Sequence, residues 1–378
     1  MMDTNDLLPE GLEDSLPAQA AAETRAMRAA LDVLHAHGYD RVRPPLIEFE
    51  RSLAGRMAGS MDGVSTRRMF RFVDPASLRT LALRADITPQ VGRIAATSLA
   101  GRPRPLRLCY AGDVVLIRAD QLDPARQRLQ MGAELIGADS IAAAGEIVTL
   151  AIEACRSAGA RRLTLDLTLP DLVDTLAAGP LPLPASRVEA IRRELDMKDA
   201  AALREAGGAD YLPLLYAAGP FEQAVERLAA LDAGGALASR IKGLREIVAA
   251  LDEAGGADLR ITLDPTERHG FEYQSWFGFT LYADGARGAI GRGGTYRICG
   301  AEEVATGFSL YMEPLLETVG ERSAVEERLL FLPLGHDRAA AARLRADGWR
   351  TVAALSDGED AAALGCTHRL EGGMVQVL

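Results

Sequence analysis

Cysteine is scarce and scattered in this chain: Cys109, Cys155, Cys299 and Cys366 stand far apart, with no CxxC spacing. That gives no basis for a disulfide framework, and five histidines without a pair at ligand spacing support no zinc or other metal site. No apolar run is long enough to span a bilayer. The start, MMDTNDLLPEGLEDSLP, lacks both the basic residues and the apolar stretch of a signal peptide, so a cytoplasmic protein with no membrane partner is expected. Positive charge is also short, 42 Lys and Arg against 53 Asp and Glu. The net charge of −11 argues against a surface built for phosphate backbones, and no nucleic-acid partner is expected. Gly291, Gly293 and Gly294 form a glycine-rich turn, but no GKS or GKT follows to make it a phosphate loop.

What the chain does have is length and apolar content. With 378 residues, 48% of them hydrophobic, it can bury a large core spread over two or three domains. The stretch 106–137 reads as a β-hairpin: a β-rich limb from Arg107 to Ala119, a break at Asp120 to Pro124, and a return limb from Arg126 to Ile136. Alternation puts Leu129, Met131, Ala133 and Leu135 on one face of the return strand, and Gln130, Gly132, Glu134 and Ile136 on the other. The first face is core and the second a small polar platform, where Gly132 leaves room for backbone to approach a ligand. Taken alone, that platform reads first as a solvent-facing edge with two ordinary polar residues.

Before the hairpin, Gln19 to His37 carries a helical stripe of Met27, Ala30, Leu31 and Leu34, closed by Gly38. A short strand then meets Pro44-Pro45. Residues 67–84 read as two strands around the turn Asp74 to Ser77, and Asp86 or Thr88 suits the N-cap of a following helix, with Pro89 in its first turn. After the hairpin come an amphipathic helix, Ile141 to Ala158, and a strand, Arg162 to Leu169. From about 178 to 257 the composition shifts to Pro, Ala, Gly and Glu with helical patterning, which marks a helical insertion. Aromatics make up only 5% of the chain, yet Phe271, Tyr273, Trp276, Phe277, Phe279 and Tyr282 cluster after it and read as sheet core. The last residues, 323–378, read as a small α/β unit.

The hairpin resembles motif 2 of class II aminoacyl-tRNA synthetases in its histidyl-tRNA synthetase form. Tyr110, Gly112, Arg126, Gln127, Gln130, Gly132, Glu134 and Gly137 fall at that family's spacing. Residues 38–50 resemble motif 1, the dimer-forming element, and TGFSLYMEPLLETV resembles motif 3. Asp86 and Thr88 match the acidic residue and the threonine that hold the amino group of histidine in that family. The resemblance implies an α+β fold: a six- or seven-stranded antiparallel sheet flanked by helices in a core domain of 1–322, with the insertion inside it. It also implies a histidine-like pocket lined by Asp86, Thr88, Arg126, Gln130, Glu134, Tyr273 and Tyr296.

The departures from the family all fall on its chemistry. Leu116 stands where the family carries its ATP-clamping arginine, with Arg118 two positions late, about 6.6 Å along a strand at 3.3 Å per residue. Pro314 replaces the motif 3 arginine, His269 the catalytic arginine and Gln274 a tyrosine that contacts imidazole. The C-terminal unit is too short for the family's anticodon-binding domain. This pattern is similar to the regulatory subunits of ATP phosphoribosyltransferase, which lack aminoacylation activity. The resemblance implies a non-catalytic partner of a short catalytic subunit, a homodimer within a hetero-oligomer, histidine as ligand and no cofactor. A divergent histidyl-tRNA synthetase, or an aminoacyl transferase to a non-tRNA acceptor, is the alternative.

Overall fold

The computed structural model describes residues 7–54, 69–117, 124–232, 234–253, 258–268, 274–298, 303–319 and 328–378. It divides the chain into two compact units, Met1–Val319 and Gly320–Leu378. The larger unit is built on strands β1 (Asp40–Arg41), β5 (Leu106–Val115), β6 (Gln127–Ile136), β7 (Leu163–Thr168), β8 (Gly219–Pro220), β9 (Leu259–Leu263), β10 (Gln274–Ala283), β11 (Gly291–Arg297) and β12 (Val304–Tyr311). They form one nine-stranded sheet in the order β1-β5-β6-β12-β11-β10-β7-β9-β8. Six or seven strands were expected. The shortfall comes from β1 and β8, two residues each, too short to show alternation.

The centre of the sheet, from β5 across to β7, is antiparallel, while β1 beside β5 and β7 beside β9 are parallel pairs. A smaller sheet, β2 (Ile47–Phe49), β4 (Thr80–Leu83) and β3 (Arg71–Val73), lies apart from it. The smaller unit has its own sheet, β14 (Arg350–Ala353), β13 (Leu329–Leu332), β15 (His368–Glu371) and β16 (Met374–Val377). Its helix, Arg338–Ala346, is capped by Asp337 accepting from the Ala339 and Ala340 amides.

One face of the large sheet is apolar. Cys109, Met131, Ala133, Leu135, Leu165, Leu167, Phe279, Leu281, Phe308 and Leu310 share one buried cluster with helices α1 (Pro17–Ala36) and α4 (Ile141–Ser157). Helix α4 starts where the Ser140 hydroxyl accepts from the Ala143 amide at 3.1 Å, a cap worth about 1 kcal/mol. Its stripe Ala144, Ile147, Val148, Ala151 and Cys155 is fully buried. Each large aliphatic side chain so placed contributes about 1.5–3 kcal/mol. The insertion does not stand alone: Ile241, Leu244, Ile247 and Val248, on the helix Ala238–Glu253, belong to the same cluster.

Helix α3 (Thr88–Ala96) covers part of the opposite face, with Ile87, Val91 and Ala95 packed on Leu108, Tyr110 and Ile136. Neither Asp86 nor Thr88 is the cap residue expected from the sequence, since that position falls on Ile87. The Asp86 carboxylate instead accepts from the Thr88 amide at 3.0 Å. Helix α3 is latched to the proline segment before β2. Gln90 donates to the Pro45 carbonyl at 2.8 Å, Arg93 reaches Glu48 in β2, and Arg84 donates to the Pro44 carbonyl at 2.9 Å.

Candidate functional site

Because β6 lies between β5 and β12, its polar face is interior, not an open edge. Gln130 and Glu134 are each 1% exposed. Register puts Tyr110 opposite Gly132 and Gly132 opposite Ser309, and in the next row Glu134 lies opposite Gly307. The space over Gly132 is taken by the Tyr110 phenol: a Cβ there would come within 2.6 Å of its hydroxyl and 2.1 Å of the Phe308 carbonyl. Backbone access for a ligand at Gly132 is therefore closed. Gly307 does the same for Glu134, whose carboxylate lies 1.8 Å from where a Cβ would stand.

These side chains form one hydrogen-bonded net between the sheet and α3. Gln130 accepts from the Ile87 amide at 2.9 Å and donates to Asp86 Oδ1 at 2.7 Å and Ser309 Oγ at 2.8 Å. The Tyr110 hydroxyl meets Ser309 Oγ at 2.9 Å, Thr88 Oγ1 at 3.1 Å and Glu134 Oε1 at 3.3 Å. The Tyr296 hydroxyl donates to Glu134 Oε2 at 2.9 Å. Burial pushes the Glu134 carboxyl up to about 8; the Tyr296 hydroxyl opposes that shift and the Asp86 charge adds to it. Tyr110 is pushed well above the usual phenol range, first by burial and then by Glu134 and Asp86.

Five of the residues expected from the sequence thus meet in one place: Asp86, Thr88, Gln130, Glu134 and Tyr296. Arg126 does not join them. Its guanidinium donates to the Leu116 carbonyl at 3.2 Å and the Glu10 carbonyl at 3.0 Å, at the far end of β6. Tyr273, like His269 and Arg118, lies outside the described residues. Sequence reasoning missed Tyr110 and Ser309 as members of the net. Tyr110 had a signal, a large side chain in a hairpin whose partner strand offers a glycine, whereas Ser309 had only a hydroxyl in an otherwise apolar strand.

The net sets two carboxyl groups, two phenols and two aliphatic hydroxyls against one another on the buried floor of the sheet. At the two positions that the resemblance pairs with ATP-clamping arginines, the chain has Leu116 and Pro314. Leu116 closes the hairpin through its amide, 2.7 Å from the Arg126 carbonyl. Pro314 lies in the first turn of α10 (Met312–Val319), beside Glu313, whose Oε1 accepts from the Leu129 amide at 2.7 Å. A proline side chain offers neither charge nor donor for a phosphate.

The family model of histidyl-tRNA synthetase matches residues 11–315 of this chain. In a crystal structure titled an ATP phosphoribosyltransferase regulatory subunit/histidyl-tRNA synthetase from Bacillus halodurans, 97% of each chain superposes at a TM-score of 0.79 with 23% identity, a likeness of fold. The ATP phosphoribosyltransferase regulatory subunit of Rhodospirillum centenum is 41% identical, over 98% of this chain and 96% of that protein. That of Paramagnetospirillum magneticum is 42% identical over 98% of each. With the class II synthetase fold and identity of this order along nearly the whole length, the chain belongs to the family of ATP phosphoribosyltransferase regulatory subunits.

Proposed function

We infer that this chain is the non-catalytic partner of a short ATP phosphoribosyltransferase catalytic subunit in the first step of histidine biosynthesis, needed for its activity and for its inhibition by histidine. The observation that carries this reading is selective retention. Five of the seven expected residues meet around Glu134, while Leu116 and Pro314 stand where the resemblance places phosphate-binding arginines. A site that preserves acceptors for an amino acid but no cations at those two positions is suited to binding, not to adenylation.

In this reading the ammonium of histidine lies at Asp86 and Thr88, and its imidazole at Glu134 and Tyr296. Gln130 spends all its donors and its acceptor on Asp86, Ser309 and Ile87, so it positions Asp86 more than it touches ligand. Self-association is supported by the outer face of the smaller sheet, where Ile47, Phe49, Phe72, Leu81 and Leu83 share one side. The first three are 42%, 36% and 41% exposed. Two sites coupled through one assembly exchange about 1–3 kcal/mol, or roughly 5- to 150-fold in affinity.

The test is reconstitution with a short catalytic subunit. Adding this chain is expected to raise turnover and to make it histidine-sensitive. A catalytic subunit equally active and equally sensitive alone rejects the reading.

A further inference from the structure

Arg84 follows β4 directly, and its backbone is held on both sides: its amide donates to the Leu46 carbonyl at 3.1 Å, and its carbonyl accepts from the Val115 amide at 3.0 Å. The side chain is therefore rooted, and only 6% of the residue is exposed. Arginine is almost never buried so deeply unless a negative group pairs with it. Here the partners are neutral. Nε donates to the Asp113 carbonyl at 2.6 Å, and Nη1 to the Pro44 carbonyl at 2.9 Å and Gln90 Oε1 at 3.4 Å. Among the described residues no carboxylate lies within ion-pair distance of the guanidinium. Burial lowers its pKa, Asp113 and Glu48 oppose that from further off, and Arg43 adds a like charge. Glu48 is already held by Arg93 and Gln90.

Nη2 supplies the second observation. It donates to no group among the described residues, and it is not sealed from solvent. It stands over Gly112, itself only partly buried, where a Cβ would lie 2.3 Å from it. Gly112 pairs with Gln130 across the β5–β6 ladder, so both positions project from the polar face of the sheet. Opposed Cβ positions are about 4.5–5.5 Å apart. The unspent end of the guanidinium thus lies beside Gln130, whose Nε2 holds Asp86 Oδ1 at 2.7 Å.

Two opposite charges therefore stand next to one cross-strand pair, and among the described residues neither has an ion-pair partner. Asp86 accepts only from the Gln130 amide group and the Thr88 amide. The two residues are separated by one position, at most about 7 Å of extended chain between their Cα atoms. An α-amino acid carries its ammonium and its carboxylate on a single carbon, so it presents both charges within a span of this order. A carboxylate arriving at Nη2 meets a guanidinium whose desolvation the fold has already met, and converts a lone buried charge into a pair.

We propose that Arg84, through the Nη2 end left open over Gly112, binds the α-carboxylate of the amino-acid ligand whose ammonium meets Asp86, so that the site selects an intact α-amino acid over the corresponding amine. This rests on the histidine reading above and adds the group that recognises the third polar end of the ligand. Gly112 is the other half of the device, because any side chain there would cover Nη2.

The test is calorimetry on the full chain assembled with its short catalytic subunit, using two probes: L-histidine, and histamine, which keeps the amine and imidazole without the carboxylate. The wild type is expected to bind histidine at least about tenfold more tightly, the low end of the range for a charge-assisted bond. Gly112→Ala sets a methyl group against Nη2 and leaves the charge of Arg84 in place. It should weaken histidine about tenfold or more and histamine less than about twofold. Arg84→Lys keeps the charge without the fork, and one ammonium cannot hold the Asp113 and Pro44 carbonyls and a ligand at once. Its histidine-to-histamine ratio should likewise fall below that of wild type. A role confined to holding the proline segment would weaken both probes alike, so the ratio separates the two roles. If Arg84→Lys does not fold, Gly112→Ala decides the matter. Equal losses for both probes, an unchanged histidine affinity in Gly112→Ala, or a wild type that binds the two alike overturns the subsite and leaves the histidine reading standing. A wild type that binds neither probe overturns the subsite and the histidine reading together.

Discussion

Glu134 shows how a single residue sets the terms of the buried net. Its carboxyl titrates at about 8 in the fold against 4.5 outside it, and burial is the main cause. Between those two values the folded state holds one proton more than the unfolded chain. The stability linked to this group is fully present below the unfolded value and is lost as pH rises toward 8. Glu134→Gln has no proton to lose there. Its urea midpoint should therefore decline less than the wild-type midpoint from pH 5 to 8, and parallel curves would show that Glu134 is ionised in the fold. The residues of the net were legible to different degrees for a physical reason. Gln130 and Glu134 show themselves by alternation within one strand, and Asp86 and Thr88 by their place before a helix. Ser309 meets Gln130 and Tyr110 only through register between strands far apart in sequence, which no local pattern reports.

Among the elements, local patterns fared well where one face had to be apolar. Helix α4 and the return strand of the hairpin stand within a residue or two of their expected ends, because each has a single buried stripe or face. The two-residue strands β1 and β8 carry no such pattern. Nor does a sequence disclose that Glu48, Gln90 and Arg93 tie the proline segment and β2 to α3, the same helix whose start holds Asp86 and Thr88. The small sheet's outer face follows from alternation in β2 and β4 and from their register, which align Phe49, Leu81 and Phe72. If copies of the chain pair through this face, Phe72→Asp should shift the sedimentation of the isolated protein from dimer to monomer, since each large apolar side chain removed from water is worth about 1.5–3 kcal/mol. A dimer unchanged in that variant would place the interface elsewhere. Ligand binding is expected to survive the substitution, because Phe72 lies outside the net around Glu134.

For the molecule as a whole, the question is which activity a synthetase-like body has when Leu116 and Pro314 stand at the positions that the resemblance pairs with phosphate-clamping arginines. Loss of one preorganised charge at a reacting centre typically slows chemistry about 10²–10³-fold, and on the synthetase resemblance Leu116 and Pro314 stand in place of two. Histidine-dependent ATP–pyrophosphate exchange by the isolated chain is therefore expected to stay at background. Exchange clearly above background would return the chain to the enzymes. Among the described residues no helix is long and apolar enough to cross a membrane.

Every polar atom of the Gln130 side chain is committed: the oxygen faces an amide N–H, and the nitrogen faces a carboxylate and a hydroxyl. The amide therefore has a direction, and the order of its two ends works as a latch. Gln130→Glu changes almost nothing in shape but turns the donor end into a second anion against Asp86, a like-charge contact where there was a bond. The start of α3 should then spring away from the sheet, and faster hydrogen exchange at the Ile87 and Thr88 amides would register it. Gln130→Met, which is neutral and similar in volume, should loosen the same amides less. If the two variants behaved alike, the latch would be a matter of packing and not of polarity.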